Sequence, residues 1–366
     1  MKVTVIGGGN IGTQFACTFA SKGHDVTLYC SKAAEFGHEL TVVDGERHVI
    51  CSGIIQKATN DIEEAMDAEI IFVTYPAFAL GELADKMAPY AGPSVNIGVI
   101  PGTGGAEFAF RECIKKGAGF FGIQRVPSVA RIVEYGKCVC AEGYRDKLHL
   151  AAIPGSKSPE LAAFMSSAFD MPCEILDNYF CVTMTPSNPI LHTSRLATLF
   201  EDYYEGKVYD RNPLFYGEWS NASSERLLAC DAEHQMILKK LKKLNLSSVR
   251  SLVEHYDNSD TIEKMTAKIS SIKSLHNLAS PMIKVENGWI PNFKSRYCVA
   301  DFPYGLAIIS DLAKIANVKV PNIEKTLDWY KRVTGDNNYF RFENYDITTI
   351  DDIYDLYSED DNLNRR

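Results

Sequence analysis

The glycine-rich segment Gly7-Gly8-Gly9-Asn10-Ile11-Gly12 has the residue types and spacing to hold a phosphate group. It follows a run of β-branched residues and precedes a helical pattern, which is the context that a dinucleotide-binding G-x-G-x-x-G motif requires. The first glycine permits a tight turn, the second lets the backbone approach a pyrophosphate, and the third lets the helix pack closely on the strand. The alternative is a glycine-rich turn that binds no ligand. The residues that we predict to bind a dinucleotide here are Gly7, Gly9, Asn10, Ile11 and Gly12.

The end of the second predicted strand, at Cys30, bears on the choice between the two nicotinamide cofactors. An acidic residue there would accept hydrogen bonds from the ribose 2′-hydroxyl of NAD, whereas a cysteine cannot make that paired contact. Ser31 and Lys32 follow, and these side chains could hydrogen-bond and neutralise a 2′-phosphate. We therefore expect NADP(H) to be preferred, with Cys30, Ser31 and Lys32 at the cofactor. Glu35 lies slightly downstream and could still serve a ribose, so NAD(H) stays open.

Two more predicted strands end where a cofactor or substrate would lie, because ligands bind at the carboxyl ends of strands in doubly wound sheets. Val73-Thr74-Tyr75-Pro76-Ala77 ends one of them, and we predict that Tyr75 and Pro76 contact the cofactor. Gly98-Val99-Ile100-Pro101-Gly102-Thr103-Gly104-Gly105 ends the next. Its glycines could bring backbone N–H groups to the nicotinamide or to a substrate carboxylate, although a plain turn is the alternative.

Nicotinamide chemistry on a carbonyl or imine needs a proton donor, a partner that holds the donor and usually a cation for a substrate carboxylate. Among the 8 histidines, His192 is distinguished by the preceding segment Pro186-Ser187-Asn188-Pro189-Ile190-Leu191. The two prolines and the asparagine predict an irregular backbone at the point where one domain gives way to the next, and clefts form at such junctions. His192 is therefore our candidate acid/base.

The segment from Ser295 to Leu306 brings Arg296, Asp301 and two tyrosines together around a proline and a glycine. It could supply the remaining groups of an active site. The alternative is a helix start, with Asp301 as the N-cap two residues before Pro303.

The elements that must position these residues follow two different patterns. Up to about residue 180, β-branched runs at 3–6, 26–29, 69–73 and 95–99 alternate with helical segments, which predicts a parallel sheet covered by helices. After that point long helical patterns dominate, notably 224–244 and 261–278. We predict an α/β plus all-α fold, with an N-terminal Rossmann domain (1–180) whose doubly wound parallel sheet is followed by an all-helical domain (181–335). An acidic C-terminal extension (336–366) follows, with an amphipathic helix near 350–357 and frayed residues 359–366.

Composition and charge exclude several classes of protein. The chain has 366 residues, 46% of them hydrophobic and 23% charged, which is typical of a folded globular protein. The net charge of −9 offers no basic surface for nucleic acid. We find no apolar run that could cross a membrane and no leader-like segment, so we expect a cytoplasmic protein. The 10 cysteines include no CxxC pair, so we expect no metal site.

Three separated motifs together resemble the octopine/nopaline (opine) dehydrogenase family. They are the N-terminal glycine fingerprint, Asn188-Pro189-x-x-His192, and Ser295-Arg296-Tyr297-x-x-x-Asp301-x-Pro303-Tyr304-Gly305-Leu306. The similarity runs from Met1 to about Tyr330 and includes Gln124-Arg125-Val126-Pro127, Arg131, Phe215-Tyr216-Gly217-Glu218 and Asp231-Ala232-Glu233. The chain departs from the family pattern at Thr193, where proline is usual, and at Ala300, where glutamate is usual.

The resemblance implies reductive joining of a 2-oxo acid to the amino group of an amino acid, in a cleft between the two domains. It implies that His192 is the general acid/base, that Asp301 orients and stabilises its imidazole, and that Arg296 holds a substrate carboxylate. The expected partners are these small molecules, and a homodimer would be compatible with a two-domain dehydrogenase. Two alternatives stay open. One is reduction of a simple 2-oxo acid to a hydroxy acid, and the other is a non-catalytic nicotinamide-nucleotide sensor.

Overall fold

A computed structural model gives the fold and describes residues 1–357, so the predicted fraying of residues 359–366 lies outside the described residues. The chain forms two compact units. The first contains Met1–Thr183 and, among the described residues, also 355–357 near the C-terminus, and the second is Met184–Tyr354. The acidic segment after residue 335 therefore does not form a unit of its own: residues 336–354 belong to the second unit, where Phe340, Phe342 and Ile353 are buried.

The first unit is an α/β structure whose elements alternate along the chain. Its strands are β1 (Lys2–Ile6), β2 (Asp25–Tyr29), β3 (Glu39–Val43), β4 (Val49–Ile54), β5 (Lys57–Thr59), β6 (Ile70–Val73), β7 (Asn96–Val99), β8 (Gly119–Ile123), β9 (Val129–Glu134), β10 (Cys138–Glu142), β11 (Leu148–Ile153) and β12 (Cys173–Ile175). Its helices are α1 (Asn10–Ser21), α2 (Ile62–Met66), α3 (Leu80–Met87), α4 (Ala106–Ala109), α5 (Arg111–Lys115), α6 (Ser158–Phe169) and α7 (Phe180–Thr183).

In residues 1–357, eight of these strands form one sheet in the order β12-β11-β8-β7-β6-β1-β2-β5. All neighbours are parallel except β11 and β8, which are antiparallel. The predicted Rossmann sheet is thus confirmed. A smaller sheet with the order β4-β3-β10-β9 packs against α1, and its outer strand β4 is mostly exposed. The sequence pattern did not reveal this sheet, because β-branched runs do not show which strands pair with one another.

The register of the large sheet determines which turns lie together. Ile6 at the end of β1 is opposite Tyr29 of β2 on one side and Val73 of β6 on the other. The turns that follow these three strands therefore share one edge of the sheet. Below that edge, Phe15 and Phe19 of α1 pack on Phe72 of β6, with ring centroids 5.8 Å and 4.6 Å apart, so the helix that begins at the glycine turn is fixed by aromatic packing.

The second unit is mainly helical. Its helices are α8 (Ser187–Leu199), α9 (Asn221–Leu238), α10 (Leu252–His255), α11 (Ile262–Ser270), α12 (Lys273–His276), α13 (Arg296–Val299), α14 (Ala307–Ile315), α15 (Pro321–Thr334) and α16 (Ile350–Tyr357), the last of which continues into the first unit. A short π-helical turn, Phe302–Leu306, leads into α14. Within the described residues, no helix is both long and apolar enough to cross a membrane.

The sequence predicted an entirely helical second unit, but the unit also contains two strands. Strands β13 (Met282–Val285) and β14 (Gly288–Pro291) form an antiparallel hairpin. Glu286 and Asn287 connect the strands, and Gly288 at the start of β14 has a φ of +140°, a backbone conformation that glycine adopts readily. Flanking Ile283 and Ile290 supply β-branched residues, so the hairpin follows from ordinary turn chemistry that the helical pattern around it obscured.

A carboxyl group is buried in the first unit, next to the glycine-rich turn that follows β7. Glu107 of α4 is fully buried, and its Oε1 accepts hydrogen bonds from Thr183 Oγ1 at 2.5 Å and from Tyr357 Oη at 2.6 Å. Among the described residues its Oε2 has no hydrogen-bond partner. Burial raises the pKa of Glu107 to about 7, because the charged form loses its hydration.

We predict that Glu107 makes stability fall as the pH rises. Because its pKa is about 7 in the folded state against 4.5 otherwise, its contribution is fully present below about pH 4.5 and is lost as the pH rises through about 7. Glu107→Gln should therefore gain stability relative to the wild type between pH 5 and pH 8, by up to about 3 kcal/mol. Urea unfolding at both pH values measures this, with the exposed Glu82→Gln as control. An equal wild-type-to-variant difference at both pH values would contradict it.

Candidate active site

The turn between β1 and α1 is shaped by its glycines. Gly7 has a φ of +121°, and its N–H donates to Tyr29 O at 2.9 Å. A Cβ atom on Gly12 would lie 1.7 Å from Gly7 O, so only glycine lets the helix approach the turn. A Cβ atom on Gly9 would meet nothing within 4 Å, so the space in front of that residue is open. Gly7 and Gly12 thus have the conformation and close packing expected from the sequence, and the approach of Gly9 to a pyrophosphate stays a prediction.

The first turn of α1 offers backbone donors rather than side chains. Gly9 is its N-cap and provides no side-chain hydrogen bond to the helix. Asn10 Oδ1 accepts from Ile132 N at 2.8 Å, which ties the turn to β9, so the part of Asn10 that could face an anion is its backbone N–H. Ile11 packs partly against the hydrophobic core. An anion could therefore bind at the N–H groups and the positive end of the helix dipole.

The residues after β2 lie beside this turn. Cys30 is buried, and burial raises the pKa of its thiol. Ser31 and Lys32 are exposed, and Lys32 Nζ lies 3.2 Å from Glu35 Oε1 and 5.4 Å from the ring centre of Tyr135. The cation that we predicted for a 2′-phosphate is thus next to the carboxylate that could serve a ribose.

The residues after β6 complete this edge. Thr74 Oγ1 donates to Ile6 O at 3.1 Å, which joins the ends of β6 and β1. The Tyr75 ring lies 3.3 Å from the position that a Cβ atom on Gly7 would take, and Pro76 follows directly. The structure therefore brings all ten predicted cofactor residues to the ends of β1, β2 and β6. With a helix N-terminus, an open space and a neighbouring aromatic ring, these residues fit a dinucleotide.

His192 lies in the second unit on α8, and here the predicted irregular backbone is wrong. The helix runs through Asn188 and Pro189 without a break. Pro189 is the third residue of the helix, where a backbone N–H has no intrahelical acceptor, so the proline removes no helix hydrogen bond. His192 is therefore held on a regular and buried helix, with 4% of its surface exposed.

Asp301 and His192 form a direct hydrogen bond. His192 Nδ1 is 2.8 Å from Asp301 Oδ2, and 109 positions separate the two residues in the chain. Asp301 precedes the π-helical turn, but its side chain makes no capping bond, which removes the helix-start alternative for that carboxylate. Because a carboxylate can only accept, Nδ1 carries the proton and Nε2 of a neutral imidazole is the acceptor.

The two segments that carry this pair approach each other closely. A Cβ atom on Gly305 would lie 3.0 Å from both Cβ and Cγ of Pro189. A side chain at Gly305 would push α8 away from the turn that holds Asp301. Gly305 and Pro189, two residues of the motifs that we recognised, thus meet at the contact that brings the segments together.

Arg296 lies beside the pair and faces outward. Its Nη1 is 3.9 Å from Asp301 Oδ1, its side chain is 49% exposed, and its guanidinium lies 5.0 Å from the ring centre of Tyr297. The 3.9 Å separation is longer than a bidentate charge-assisted pair, so the guanidinium keeps donors for another carboxylate. Tyr297 in turn packs edge-on against His192, with 4.5 Å between ring centres.

Sequence reasoning gave no role to Tyr216, which contacts the other nitrogen of the histidine. Tyr216 Oη is 2.8 Å from His192 Nε2, and both residues are buried. Burial raises the pKa of Tyr216 well above 10, so the phenol keeps its proton. Burial also lowers the pKa of His192, against the opposing effect of Asp301. The available signal was the Phe215-Tyr216-Gly217-Glu218 motif, noted without a role.

Two other residues in the recognised motifs have structural roles. Glu233 Oε2 accepts from Ile323 N and Oε1 from Asn322 N, each at 2.9 Å, which caps the first turn of α15. Asp231 Oδ2 accepts from Leu252 N at 2.8 Å in the first turn of α10. These acidic side chains hold helix ends and lie apart from the histidine pair.

Comparisons with known proteins agree with the fold. Residues 175–334 match the family described as NAD/NADP octopine/nopaline dehydrogenase, alpha-helical domain, and residues 3–129 match ketopantoate reductase PanE/ApbA. The chain is 26% identical to tauropine dehydrogenase of Arabella iricolor (91% of each chain) and 27% identical to octopine dehydrogenase of Pecten maximus (92% of this chain, 90% of the relative). This chain is an oxidoreductase that resembles the opine dehydrogenases. The relatives are NAD(P)-dependent dehydrogenases acting on CH–NH, which confirms the recognition made from the sequence.

Solved structures show the same fold. Octopine dehydrogenase with NADH and L-arginine, and with NADH and pyruvate, each superimpose with a TM-score of 0.81 at 24% identity, covering 96% of this chain and 97% of theirs. The similarity extends over nearly the whole chain and so includes both the Rossmann unit and the helical unit.

We predict that Gly9→Ala weakens nicotinamide nucleotide binding while leaving the fold intact. Its Cβ atom meets no protein atom but enters the space that a pyrophosphate needs, so we expect at least about a tenfold rise in Kd, or 1.4 kcal/mol. Titration by NAD(P)H fluorescence together with a thermal midpoint measures both effects. Gly81→Ala, also with open space around its Cβ position, is the control and should bind normally. Unchanged binding by Gly9→Ala would contradict the assignment of this turn.

Proposed function

We propose that this protein joins a 2-oxo acid to the amino group of an amino acid by NAD(P)H-dependent reduction, with His192 as the general acid/base. The observation that carries the proposal is the buried hydrogen bond of 2.8 Å between His192 and Asp301 in a chain of the opine dehydrogenase type. Octopine dehydrogenase, the solved relative, binds NADH with L-arginine or pyruvate, which supports an amino acid and a 2-oxo acid as the substrate classes.

The carboxylate of Asp301 gives His192 its chemical function. It accepts the Nδ1 proton, fixes the tautomer and orients the ring, so that Nε2 is the nitrogen that takes up or gives away a proton. It also stabilises the imidazolium that forms when His192 is protonated. Burial lowers the pKa of His192, and the Asp301 carboxylate opposes that shift.

Formation of the C=N bond requires the transfer of two protons. Two protons pass from the ammonium nitrogen of the amino acid to the carbonyl oxygen, which leaves as water while a C=N bond forms. Hydride then adds to the carbon, and the electron pair of the C=N π bond becomes a lone pair on nitrogen. His192 serves as base and then as acid in the first part of this sequence. The nicotinamide supplies the hydride when it is bound.

Arg296 would hold the carboxylate of the 2-oxo acid. Its half-exposed guanidinium, which is not closed into a bidentate pair with Asp301, supports this role. Thr193 and Ala300, the two positions that depart from the family pattern, lie directly next to His192 and Asp301 in the chain. We therefore expect residues beside His192 and Asp301 to determine which amino acid and which oxo acid bind. The homodimer and the cytoplasmic location stay predictions.

A second candidate is reduction of a 2-oxo acid to a hydroxy acid. The match of residues 3–129 to ketopantoate reductase favours it, although that match covers only the first unit. The same His192–Asp301 pair could then protonate the carbonyl oxygen, which would stay in the product. The two candidates differ in whether an amine is needed.

We predict amine-dependent oxidation of NAD(P)H that requires His192. The assay follows absorbance at 340 nm with pyruvate or another 2-oxo acid, with and without a panel of amino acids. His192→Gln should lower kcat/KM by about 10²- to 10⁴-fold, because the acid/base is lost, while NAD(P)H fluorescence titration shows normal binding. His234→Gln, a change of another buried histidine in this unit, is the comparison variant. Turnover with the oxo acid alone would indicate the hydroxy-acid reaction, and full activity of His192→Gln would contradict the proposal.

We also propose that NADP(H) is preferred and that Lys32 contacts its 2′-phosphate, with Glu35 as the opposing charge. The exposed Lys32 at the end of β2 and the absence of an acid at Cys30 support this assignment. Lys32→Ala should raise the Kd for NADPH by about tenfold and change that for NADH little, whereas Glu35→Gln should tighten NADPH binding. The control is Lys86→Ala, another exposed lysine paired with a glutamate. Weaker NADH binding in Glu35→Gln would instead place the ribose on that carboxylate.

A further inference from the structure

We propose that the hydroxyl group of Tyr216 carries the proton between His192 and the substrate, so that Asp301, His192 and Tyr216 form a relay. The inference rests on the proposed function, because it names the group through which the acid/base of that reaction acts. It adds to the pair a catalytic residue that neither composition nor motif spacing assigned.

Both nitrogens of the His192 imidazole are hydrogen-bonded. His192 Nδ1 is 2.8 Å from Asp301 Oδ2, and Nε2 is 2.8 Å from Tyr216 Oη. A neutral or protonated imidazole makes one hydrogen bond in the ring plane at each nitrogen. A substrate atom could bind His192 directly only after Tyr216 had moved away, whereas a phenol oxygen bonded to Nε2 still has capacity for another hydrogen bond.

Hydrogen bonds from Arg195 hold the backbone that carries Tyr216. Arg195, three residues after His192 on α8, is 3% exposed and donates from Nε to Phe215 O at 2.9 Å and from Nη2 to Glu218 O at 2.7 Å. The same Nη2 donates to Leu214 O at 3.2 Å. A single guanidinium thus ties the whole segment 214–218 to the helix of the histidine, and moving Tyr216 aside would break these bonds inside the protein.

The aromatic neighbours restrict the side chain itself. The Tyr216 ring packs against Phe215, with 5.1 Å between centres, and lies nearly parallel to Trp219 at 6.4 Å. Tyr297 stacks on Phe215, with 5.1 Å between ring centres, and lies 4.5 Å from the ring centre of His192 in a T-shaped arrangement. A ring swing that released Nε2 would disrupt this cluster, so the hydroxyl stays on the histidine while the substrate reacts.

The relay moves protons without leaving a charge on the tyrosine. When His192 gives a proton, the Nε2–H bond breaks and a new bond forms to Tyr216 Oη, while the original Oη–H proton passes to the substrate oxygen that leaves as water. When His192 takes a proton, the ammonium nitrogen gives one to Oη and the Oη proton passes to Nε2. The high pKa of the phenol fits this role, because Tyr216 begins and ends each transfer protonated.

The test compares Tyr216→Phe with the wild type, His192→Gln and a matched control, Tyr354→Phe. Tyr354 is also a buried tyrosine of the second unit, and its hydroxyl donates to Lys240 O at 3.3 Å. The measurements are amine-dependent NAD(P)H oxidation, the thermal midpoint, and the wild-type rate in mixtures of H₂O and D₂O. We expect Tyr216→Phe to lose about 10²- to 10⁴-fold in kcat, as His192→Gln does, with an unchanged midpoint, and Tyr354→Phe to retain wild-type kcat.

The solvent isotope measurement distinguishes a relay from a structural effect. Two protons moving in one step give a curved dependence of rate on deuterium fraction, whereas one proton gives a straight line. A straight line for the wild type, or a Tyr216→Phe variant with at least one tenth of the wild-type kcat, overturns the relay while the proposed function stands. If Tyr216→Phe fails to fold, the wild-type curve alone decides. A wild type without amine-dependent turnover overturns the proposed function, and the relay fails with it.

Discussion

The hydrogen bond between His192 and Asp301 is the interaction on which the rest of the second unit depends. It joins residues 109 positions apart, so no local preference can form it, and it requires α8 and the π-helical turn to approach within van der Waals contact. Gly305 against Pro189 provides that approach. Once the pair exists, the tautomer of the histidine is fixed, and Nε2 is the nitrogen that the proposed reaction would use.

The parts of the site that depend on steric contacts between residues close together in the chain could be predicted from the sequence. The glycine turn is one such part, because Gly7, Gly9 and Gly12 each solve a steric problem within a few residues of chain. The sheet and the end of β2 at Cys30 followed from β-branched runs. The pair His192–Asp301 came from motifs that resemble a family, since neither spacing nor periodicity brings two such distant residues together.

Two kinds of feature could not be predicted. The first kind depends on contacts between segments that are distant in the chain, and the second on a local sequence pattern that is compatible with two backbone conformations. The Pro189 position is an example of the second kind, because a proline among polar residues signals an irregular backbone and is also tolerated in the first turn of a helix. Tyr216 is an example of the first kind. Its place on Nε2 depends on hydrogen bonds from Arg195 to backbone carbonyls of the 214–218 segment. Every residue has a backbone carbonyl, so the residue types in the sequence do not show which carbonyls an arginine will bind.

The burial of Arg195 lowers folding stability in order to position the site. Its guanidinium is buried, burial lowers its pKa to about 10, and its hydrogen-bond partners are carbonyls and the Ser223 hydroxyl rather than a carboxylate. A buried cation whose hydrogen bonds go to uncharged groups contributes less to folding than apolar packing of the same volume would. What it provides is position, because several N–H donors in one rigid plane define a loop more narrowly than apolar contacts can. The guanidinium that holds the 214–218 segment therefore lies one turn of helix from the histidine that the proposed reaction uses.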